Sequence, residues 1–599
     1  MRHLTKFGTA GLVAALAPAH AAWAQIGPAP LPLATTQVAP VQEADRGVGT
    51  GPYSGQPYTG GLLSNLGTSY RLNDLRPQLE RFFQTSAATP SNAPAFIVQP
   101  SIGVDVGVTD NALRVASPRR ADFLTIISPS LVVSGDTARL KVNFAYAPQI
   151  TIYASNSSQT RVDQFFSGQA LGIIVPDAVF LDLRGSISST SLAGNGLQGN
   201  TVPNYNRQNQ VTTTTVSATP YVEHRFGGFG TARLGYSLSR SLQDTNQNQV
   251  VPNSLAVLNA FGTPAYGYTG NLTTQRERLT FASGENLGRF NVFTALQAIQ
   301  YNGGGSYRGA FRNEVSNEFG YALNRRITLL AGIGYQDVRY GGSPQVRFRE
   351  PSYNFGARYS PNPDSNLTVL YGRHDGIGSI SFDGQYAPTA RTRLIGRYST
   401  GITSDLEGTQ NVLDASTVGS SGLVTDATTG APVGSGSSFG IQNGIYKVRR
   451  LSLSALLLQD RDTFSVGLTY EDRTNLTNTP SAFTNAIVPA GQSSTSIYGS
   501  AAWQHDLAPN LNSTLGLQYG VTNNTQQFLG ANGGTQSTFS VTAALTRQLT
   551  ETLSGSVRYS FISQTGGRGA NAGFLNTAAF GNTGSYTENS VFVGLRKSF

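Results

Sequence analysis

Apolar and polar side chains alternate along segment after segment of this sequence, and this alternation limits the folds that the chain can adopt. Within residues 97–111, apolar side chains at 98, 102, 104, 106 and 108 alternate with small or polar ones. A period of two places one set of side chains on each face of a β-strand. About 22 such segments, each about 10 to 14 residues long, match tilted strands that cross a membrane. The sequence therefore predicts an all-β fold, a transmembrane antiparallel up-and-down β-barrel.

The connections between these segments fall into two classes that take turns along the chain. One class is short and polar, as at residues 135–136 and 176–177. The other is mostly long and rich in Gly, Ser, Thr and Asn, as at residues 190–210, 244–273 and 403–443. Tight turns at one end and long loops at the other are typical of an outer-membrane barrel, with periplasmic turns and extracellular loops. A soluble propeller or solenoid would need a motif repeated at a fixed period, and the spacing here varies.

An outward tyrosine recurs in the strands that follow the short turns. Its apolar ring and polar hydroxyl suit the boundary between hydrocarbon and water. We predict that these residues form the upper aromatic girdle of the barrel: Tyr146, Tyr236, Tyr335, Tyr371, Tyr398, Tyr470, Tyr519 and Tyr559.

The first 24 residues predict a secretory signal peptide. A basic head that contains Arg2 and Lys6 precedes an apolar run at residues 8–17, and residues 22–24 fit a cleavage site that ends at Ala24. Residues 25–95 are rich in Pro and Gly and predict a periplasmic arm, with a short helix over residues 73–82 as one alternative. The barrel is then expected over residues 96–599.

Composition excludes several classes of protein. The chain is 39% hydrophobic and 10% aromatic, which is too apolar for a disordered protein. It has no cysteine, which excludes disulfides and thiolate chemistry. The formal charge of +9 comes from basic residues scattered over the strands, without a long run, so we expect no nucleic-acid partner.

No arrangement of catalytic residues stands out in the sequence. Residues 436–440 have the form G-x-S-x-G, but they lie in a Gly/Ser-rich loop without the strand and helix that this motif needs. The histidines beyond the leader are His224, His374 and His505, and their spacing is not that of metal ligands. His374 and Asp375 fall at the expected extracellular rim, where we interpret them as ordinary polar residues. We therefore predict a protein that is not an enzyme and has no cofactor or metal.

Basic residues outnumber acidic ones on the face that should line the lumen. Two interpretations stay open at about even weight: these cations attract anionic solutes, or they pair with lumen acids such as Asp182, Glu223, Glu314 and Glu471. The candidate lumen residues are Arg139, Lys141, Arg184, Arg233, Arg312, Arg393, Arg397, Arg450 and Arg558.

The last predicted strand carries Val591, Val593, Leu595 and Phe599 on one face and ends on the aromatic ring. This ending resembles the signal that the barrel-insertion machinery reads in bacterial outer-membrane barrels. Residues 103–112, which contain T-D-N, and residues 161–188, which contain a V-P-D turn, resemble large outer-membrane barrels found with exopolysaccharide and PEP-CTERM sorting systems. The resemblance implies the outer membrane of a Gram-negative bacterium, with lipid and the insertion machinery as partners. It also implies polysaccharide or polysaccharide-export proteins as partners.

Three functional hypotheses follow from the sequence. The first is a pore or export component, for surface exopolysaccharide or other anionic solutes. The second is a structural or adhesive outer-membrane protein whose lumen is closed by side chains and the arm. The third, a minor one, is an outer-membrane hydrolase, which would need an acid–histidine or serine–histidine cluster assembled by folding.

Overall fold

The computed structural model describes residues 95–191, 197, 210–244, 269–362, 364–418, 424–426, 439, 444–480, 487–524, 534–566 and 585–599. The predicted signal peptide, the arm up to residue 94 and its alternative short helix lie outside the described residues. The G-x-S-x-G stretch also lies outside them, apart from Phe439. Among the described residues, no helix is both long enough and apolar enough to cross a bilayer.

One antiparallel sheet closes on itself to form the barrel, because β1 pairs with β2 on one side and with the last strand on the other. The sheet has 24 strand segments, and two strands are each split into two segments, which leaves 22 strands. Each strand pairs with its neighbours along the chain, so the predicted up-and-down barrel of about 22 strands is confirmed.

The strands are β1 Phe96–Thr109, β2 Asp122–Asp136, β3 Leu140–Tyr146 with Gln149–Tyr153, β4 Arg161–Asp163 with Phe166–Val175, β5 Val179–Ser191, β6 Gln210–Arg225, β7 Gly230–Asp244, β8 Thr269–Ser283, β9 Phe290–Gly303, β10 Ala310–Ala322, β11 Ile327–Tyr340, β12 Val346–Tyr359, β13 Asn366–His374, β14 Ile377–Thr389, β15 Thr392–Thr403, β16 Tyr446–Leu458, β17 Asp462–Asn475, β18 Ser493–Ala508, β19 Leu511–Asn524, β20 Gly534–Gln548, β21 Leu553–Gly566 and β22 Tyr586–Ser598. Within the described residues, an α-helix, α1, spans Asp405–Ala415. Small hairpins there pair Ser416–Val418 with Val424–Asp426 and Thr479–Pro480 with Ile487–Val488.

The outer face of the barrel is apolar and the inner face is polar, as the alternation requires. On β1, Val104 and Val106 are about two-fifths exposed on the outside, while Asp105 and Thr109 are buried on the inside. The same division recurs on β22, where Val593 and Leu595 are exposed and Ser590 is buried. An apolar outer band and a polar lumen are typical of a barrel that lies in a membrane, with lipid against its outer face.

The T-D-N sequence lies where the barrel closes. The Asp110 carboxylate accepts hydrogen bonds from the backbone N–H and side-chain amide of Asn589, at 2.7 and 2.8 Å. The Asn111 side chain donates to the carbonyl of Thr587 at 3.0 Å and to that of Val115 at 2.8 Å. These bonds fasten the β1–β2 connection to β22, so the motif holds the first and last strands together.

The β13–β14 hairpin is shorter than its neighbours. Asp375 and Gly376 have φ of 53° and 72°, the left-handed conformation that a two-residue hairpin turn requires. The register of β12 with β13 starts only at Tyr353, so Val346–Ser352 pairs with β11 alone. Within the described chain, this upper part of β12 is an unpaired strand edge.

Candidate functional site

The connection between β15 and β16, for which the sequence predicts a long loop, contains the helix α1. Ser404 caps the helix, and its side chain accepts a hydrogen bond from the backbone N–H of Glu407 at 3.2 Å. Residues 404–407 read S-x-x-E, the sequence signature of a capped helix start. The sequence therefore carries a local signal for the start of the helix, which an alternation of period two does not contain.

The middle of α1 lies on the inner faces of β6, β7 and β8. The Thr409 hydroxyl lies 3.4 Å from that of Thr215 and 3.3 Å from that of Ser241. The Gln410 side-chain oxygen accepts a hydrogen bond from the Thr274 hydroxyl at 2.6 Å. Because these wall residues face inward, α1 lies inside the lumen.

The apolar face of α1 is anchored in a hydrophobic cluster at the long-loop end of the lumen. Leu406 is buried there together with residues of six barrel strands and their connections, namely Leu272, Ile299, Tyr301, Tyr307, Ala310, Val338, Tyr340, Val346, Ile402 and Ile445. Burial of a side chain such as Leu stabilises docking by about 2 kcal/mol. Contact with these residues therefore fixes the N-terminal half of the helix.

Arg184 on β5 holds the C-terminal end of α1. One guanidinium nitrogen donates to the carbonyl oxygens of Leu413, Asp414 and Ser416, at 3.1, 2.7 and 2.7 Å. Another nitrogen contacts the Asp182 carboxylate at 2.8 Å. The last carbonyls of a helix lack partners within the helix and carry partial negative charge, so a guanidinium there is favourable.

Arg276 on β8 adds a second contact at the same end. It contacts the Asp414 carboxylate at 3.0 Å and the Asn411 side-chain oxygen at 3.1 Å. Two arginines from different strands thus bind the final turn of α1.

The N-terminal end of α1 contacts the opposite group of strands. The Asp405 carboxylate accepts from Arg473 on β17 at 2.9 Å and from the Tyr446 hydroxyl on β16 at 2.6 Å. Arg473 also contacts Glu471 at 2.5 Å, and Glu471 contacts Arg450 at 2.9 Å. The helix, which is about 16 Å long, therefore bridges β16 and β17 to β5–β8 across the lumen.

Glu407 is a buried acid in the first turn of α1. Its carboxyl group accepts hydrogen bonds from the hydroxyls of Tyr301, at 2.7 Å, and Tyr340, at 3.1 Å. Burial raises the pKa of Glu407, and this effect outweighs the lowering by the Arg312 charge and by the tyrosine hydrogen bonds.

The charge of α1 accounts for part of the basic lumen. The helix has three acids, Asp405, Glu407 and Asp414, and no basic residue between 405 and 415. Its ion-pair partners on the wall are Arg473 and Arg276, and Arg184 binds its C-terminal carbonyls. These cations neutralise a segment of the same chain.

Most of the predicted lumen cations have an acid partner. The pairs are Lys141 with Asp136, Arg184 with Asp182, Arg233 with Glu223, Arg312 with Glu314 and Asp375, Arg397 with Asp383, and Arg450 with Glu471. Arg139 lies exposed in the turn before β3 and is not on the barrel wall, because the strand begins one residue later. Arg393 is buried on β15, and the Arg558 guanidinium lies 5.1 Å from the Phe592 ring centroid. This pattern supports pairing within the lumen, the second of the two interpretations.

Arg312, Glu314, His374 and Asp375 form a separate buried cluster. His374 lies 3.4 Å from each carboxylate, so Glu314, His374 and Asp375 are close enough together for a metal ion. Arg312, however, already contacts Glu314 at 2.6 Å and Asp375 at 2.9 Å. Burial alone would raise the pKa of Asp375, but Arg312 and His374 hold it well below its usual range. A guanidinium between the two carboxylates does not fit a metal site, so we interpret the cluster as an ion-pair network.

The predicted girdle tyrosines lie on the outer face of the barrel. Tyr146, Tyr236, Tyr335, Tyr371, Tyr470, Tyr519 and Tyr559 are 36 to 53% exposed, and Tyr398 is half-buried. At the end of the chain, Val591, Val593 and Leu595 are exposed on the outer face. The ring of Phe599 is 73% exposed, and its N–H donates to the carbonyl of Pro100 at 3.0 Å.

The closed antiparallel sheet, the apolar outer face and the polar lumen define an outer-membrane β-barrel. Residues 91–249, about a quarter of the chain, match the family described as "Putative beta-barrel porin 2". That region contains β1 to β7, together with the T-D-N and V-P-D sequences. No curated protein matches the chain.

A comparison with solved structures finds similar chains at low identity. The FrpB iron transporter from Neisseria meningitidis has 8% identity and a TM-score of 0.37, with 84% of this chain and 82% of that chain covered. The siderophore receptor PirA from Pseudomonas aeruginosa has 11% identity and a TM-score of 0.37, with 85% and 81% covered. The ferric-catecholate import receptor Fiu from E. coli has 10% identity and a TM-score of 0.43, with 86% and 82% covered. At this level the likeness says nothing about ligands.

Proposed function

We propose that this protein is an outer-membrane pore whose lumen is narrowed by the β15–β16 connection. The observation that carries the proposal is the position of α1, which is bound at one end by Arg184 and Arg276 and at the other by Arg473. A helix that bridges the lumen narrows the path of a solute without blocking the whole lumen. The family match to a porin description over residues 91–249 supports the same role.

We propose a hydroxylated solute, such as a surface exopolysaccharide, as the material that passes. The lumen wall is rich in hydroxyl and amide groups, which hydrogen-bond to sugar hydroxyls. Inward hydroxyl and amide side chains on β6, β7, β18 and β19, all buried against their neighbours in this structure, are Thr213, Thr215, Ser217, Ser237, Ser239, Ser494, Ser496, Ser500, Gln504 and Thr514. Because the lumen arginines are mostly paired with acids, selectivity for anionic solutes has weaker support.

The test is the single-channel conductance of the mature protein in a planar bilayer. The double variant Arg184→Gln with Arg276→Gln removes the contacts at the C-terminal end of α1, so its steps should be larger than those of the wild type. The matched control is Arg233→Gln, which breaks a lumen ion pair with Glu223 on β6 and leaves the partners of α1 in place. It should conduct like the wild type.

Two other results would contradict the proposal. Equal steps in all three proteins would mean that α1 does not limit the pore. Silence from all of them, with insertion confirmed, would favour the structural or adhesive alternative with a closed lumen.

Addition of neutral glucose oligomers and of uronic acid oligomers of equal length separates the solute classes. We expect the neutral oligomers to block the ion current at least as well as the acidic ones.

A further inference from the structure

A group of arginines faces outward on β11 and β12, beyond the tyrosine that marks the membrane boundary. Tyr335 is exposed on the outer face of β11, and Asp337 and Arg339 follow on the same face because the period is two. Arg347 and Arg349 occupy the outer face of the facing strand, β12, and both are exposed. This set of residues, which we call the upper arginine patch, extends about 13 Å beyond Tyr335 along the strand.

The strand register places two of these arginines directly opposite each other. Arg339 pairs with Arg347 across β11 and β12, so both side chains project from the same face at neighbouring positions. Like charges opposite each other in a sheet are destabilising unless an anion lies between them. The acid within reach is Asp337, whose carboxylate lies 3.6 Å from the Arg347 guanidinium. The Arg347 side chain is 51% exposed. Three guanidiniums therefore face one carboxylate.

Other neighbours do not neutralise the patch. The Arg349 side chain donates to the Tyr335 hydroxyl at 3.1 Å, a neutral partner at the membrane boundary. Glu350, the next acid along β12, contacts Arg373 at 3.0 Å and accepts from the backbone N–H of Gly376. Beside the patch, Val346–Ser352 is the unpaired strand edge, which adds backbone N–H donors.

Other strands differ in the charge that they carry at this depth. The outward positions beyond Tyr519 are Val521 and Asn523, and those beyond Tyr559 are Phe561, Ser563 and Thr565, none of which is charged. Arg373 and Arg449 are also exposed on the outer face, and they have acid partners in Glu350 and Asp472, at 3.0 and 4.0 Å. The upper arginine patch is distinguished by two arginines directly opposite each other, Arg339 and Arg347.

We propose that the upper arginine patch binds the phosphate groups of an outer-leaflet glycolipid. Guanidinium groups bind phosphate oxygens in pairs of parallel hydrogen bonds, and several arginines together select for more than one phosphate. The position just beyond an outward tyrosine is the depth of lipid headgroups, which makes a lipid the fitting source of the phosphate. This inference does not depend on whether the barrel conducts.

The test is binding of diphosphoryl lipid A to the folded mature protein in a nonionic detergent. The triple variant Arg339→Gln, Arg347→Gln and Arg349→Gln should bind about tenfold more weakly, and added salt should weaken wild-type binding. The control is Arg325→Gln with Arg326→Gln, two exposed arginines in the turn at the other end of β11, which should bind like the wild type. The heat-modifiable band on a gel confirms that each barrel has folded.

Three results would overturn the inference: no binding of lipid A to the wild type, equal binding by the triple variant, or displacement of lipid A by inorganic phosphate at similar concentration. The last would identify a simple anion site without recognition of a lipid. If the triple variant does not fold, the single variant Arg347→Gln changes an exposed side chain and should still weaken binding about threefold.

Discussion

At Glu407, burial and the helix dipole act on the carboxyl group in opposite directions. It lies in the first turn of α1, where a negative charge favours the helix dipole, yet it is buried against two tyrosine rings. Burial raises the pKa of its carboxyl group. The docked helix therefore favours the protonated form, whereas an undocked, solvated Glu407 has the ordinary carboxyl pKa.

The raised pKa predicts that docking of α1 depends on pH. The stabilisation is fully present below the ordinary carboxyl pKa and is lost as the pH rises through the raised value, because the docked state must then release a proton or hold a buried charge. Conductance of the wild type should therefore increase as the pH rises above the ordinary carboxyl pKa. Glu407→Gln, which keeps the shape and cannot ionise, should conduct at a low level throughout. An unchanged pH profile in this variant would rule out Glu407 as the titrating group.

At the scale of elements, the strands were predictable from the sequence and the position of the helix inside the lumen was not. Alternation is a local pattern, and each strand shows it over ten or more residues, so the barrel frame could be found segment by segment. The helix had a local signal at residues 404–407, but its place inside the lumen depends on Arg184 and Arg276, which are distant in sequence. Loop composition cannot reveal such a long-range contact.

The N-terminal cap of α1 allows the stability of the helix to be lowered slightly without removing its contacts with the arginines. Ser404→Ala removes the hydrogen bond to Glu407 and a contact with the Tyr307 hydroxyl, at a cost of about 1 kcal/mol in helix stability. That cost corresponds to about a fivefold change in the balance between docked and undocked helix. Single-channel recordings should show more frequent openings to a larger state. Ser360→Ala, in the turn after β12, supplies the control, and identical records from both variants would disprove a role for the cap.

The whole molecule is a closed sheet, and its closure combines backbone pairing with side-chain bonds. β1 and β22 pair from Ser101 with Ser598 to Thr109 with Ser590, and the T-D-N sequence adds side-chain bonds beyond the last pair. The sequence showed that the motif belongs to the frame, but not that it ties the two ends of the chain together. Only the register of the folded sheet places residue 111 beside residue 587.

Asn111→Ala should weaken this closure. The variant loses two side-chain hydrogen bonds that Asn111 donates and one that it accepts from the Val115 N–H, with a net cost of about 1 to 3 kcal/mol. The temperature at which the compact band on a gel converts to the unfolded band should therefore fall. Asn523→Ala, on the exposed outer face, should leave that temperature unchanged, and a similar fall in both variants would contradict a specific role for the motif.

Deletion of Phe599 separates assembly from stability. The ring is largely exposed, and the residue contributes one backbone hydrogen bond to Pro100, so a folded barrel that lacks it should melt almost as the wild type does. If the predicted insertion signal includes this ring, the inserted fraction in cells should nevertheless fall. Normal insertion of the shortened chain would count against the signal.

The acidic helix inside the lumen also makes the barrel sensitive to the membrane potential. Asp405 and Asp414 carry charge on a segment that is joined to the wall at both ends by connections. A charge that moves through a full potential of 100 mV gains or loses about 2.3 kcal/mol, which is comparable with a few of the hydrogen bonds that hold α1. A potential of one polarity should draw the helix away from its arginines, and the opposite polarity should press it against them. The current through this barrel should accordingly rectify, with α1 acting as its own voltage sensor.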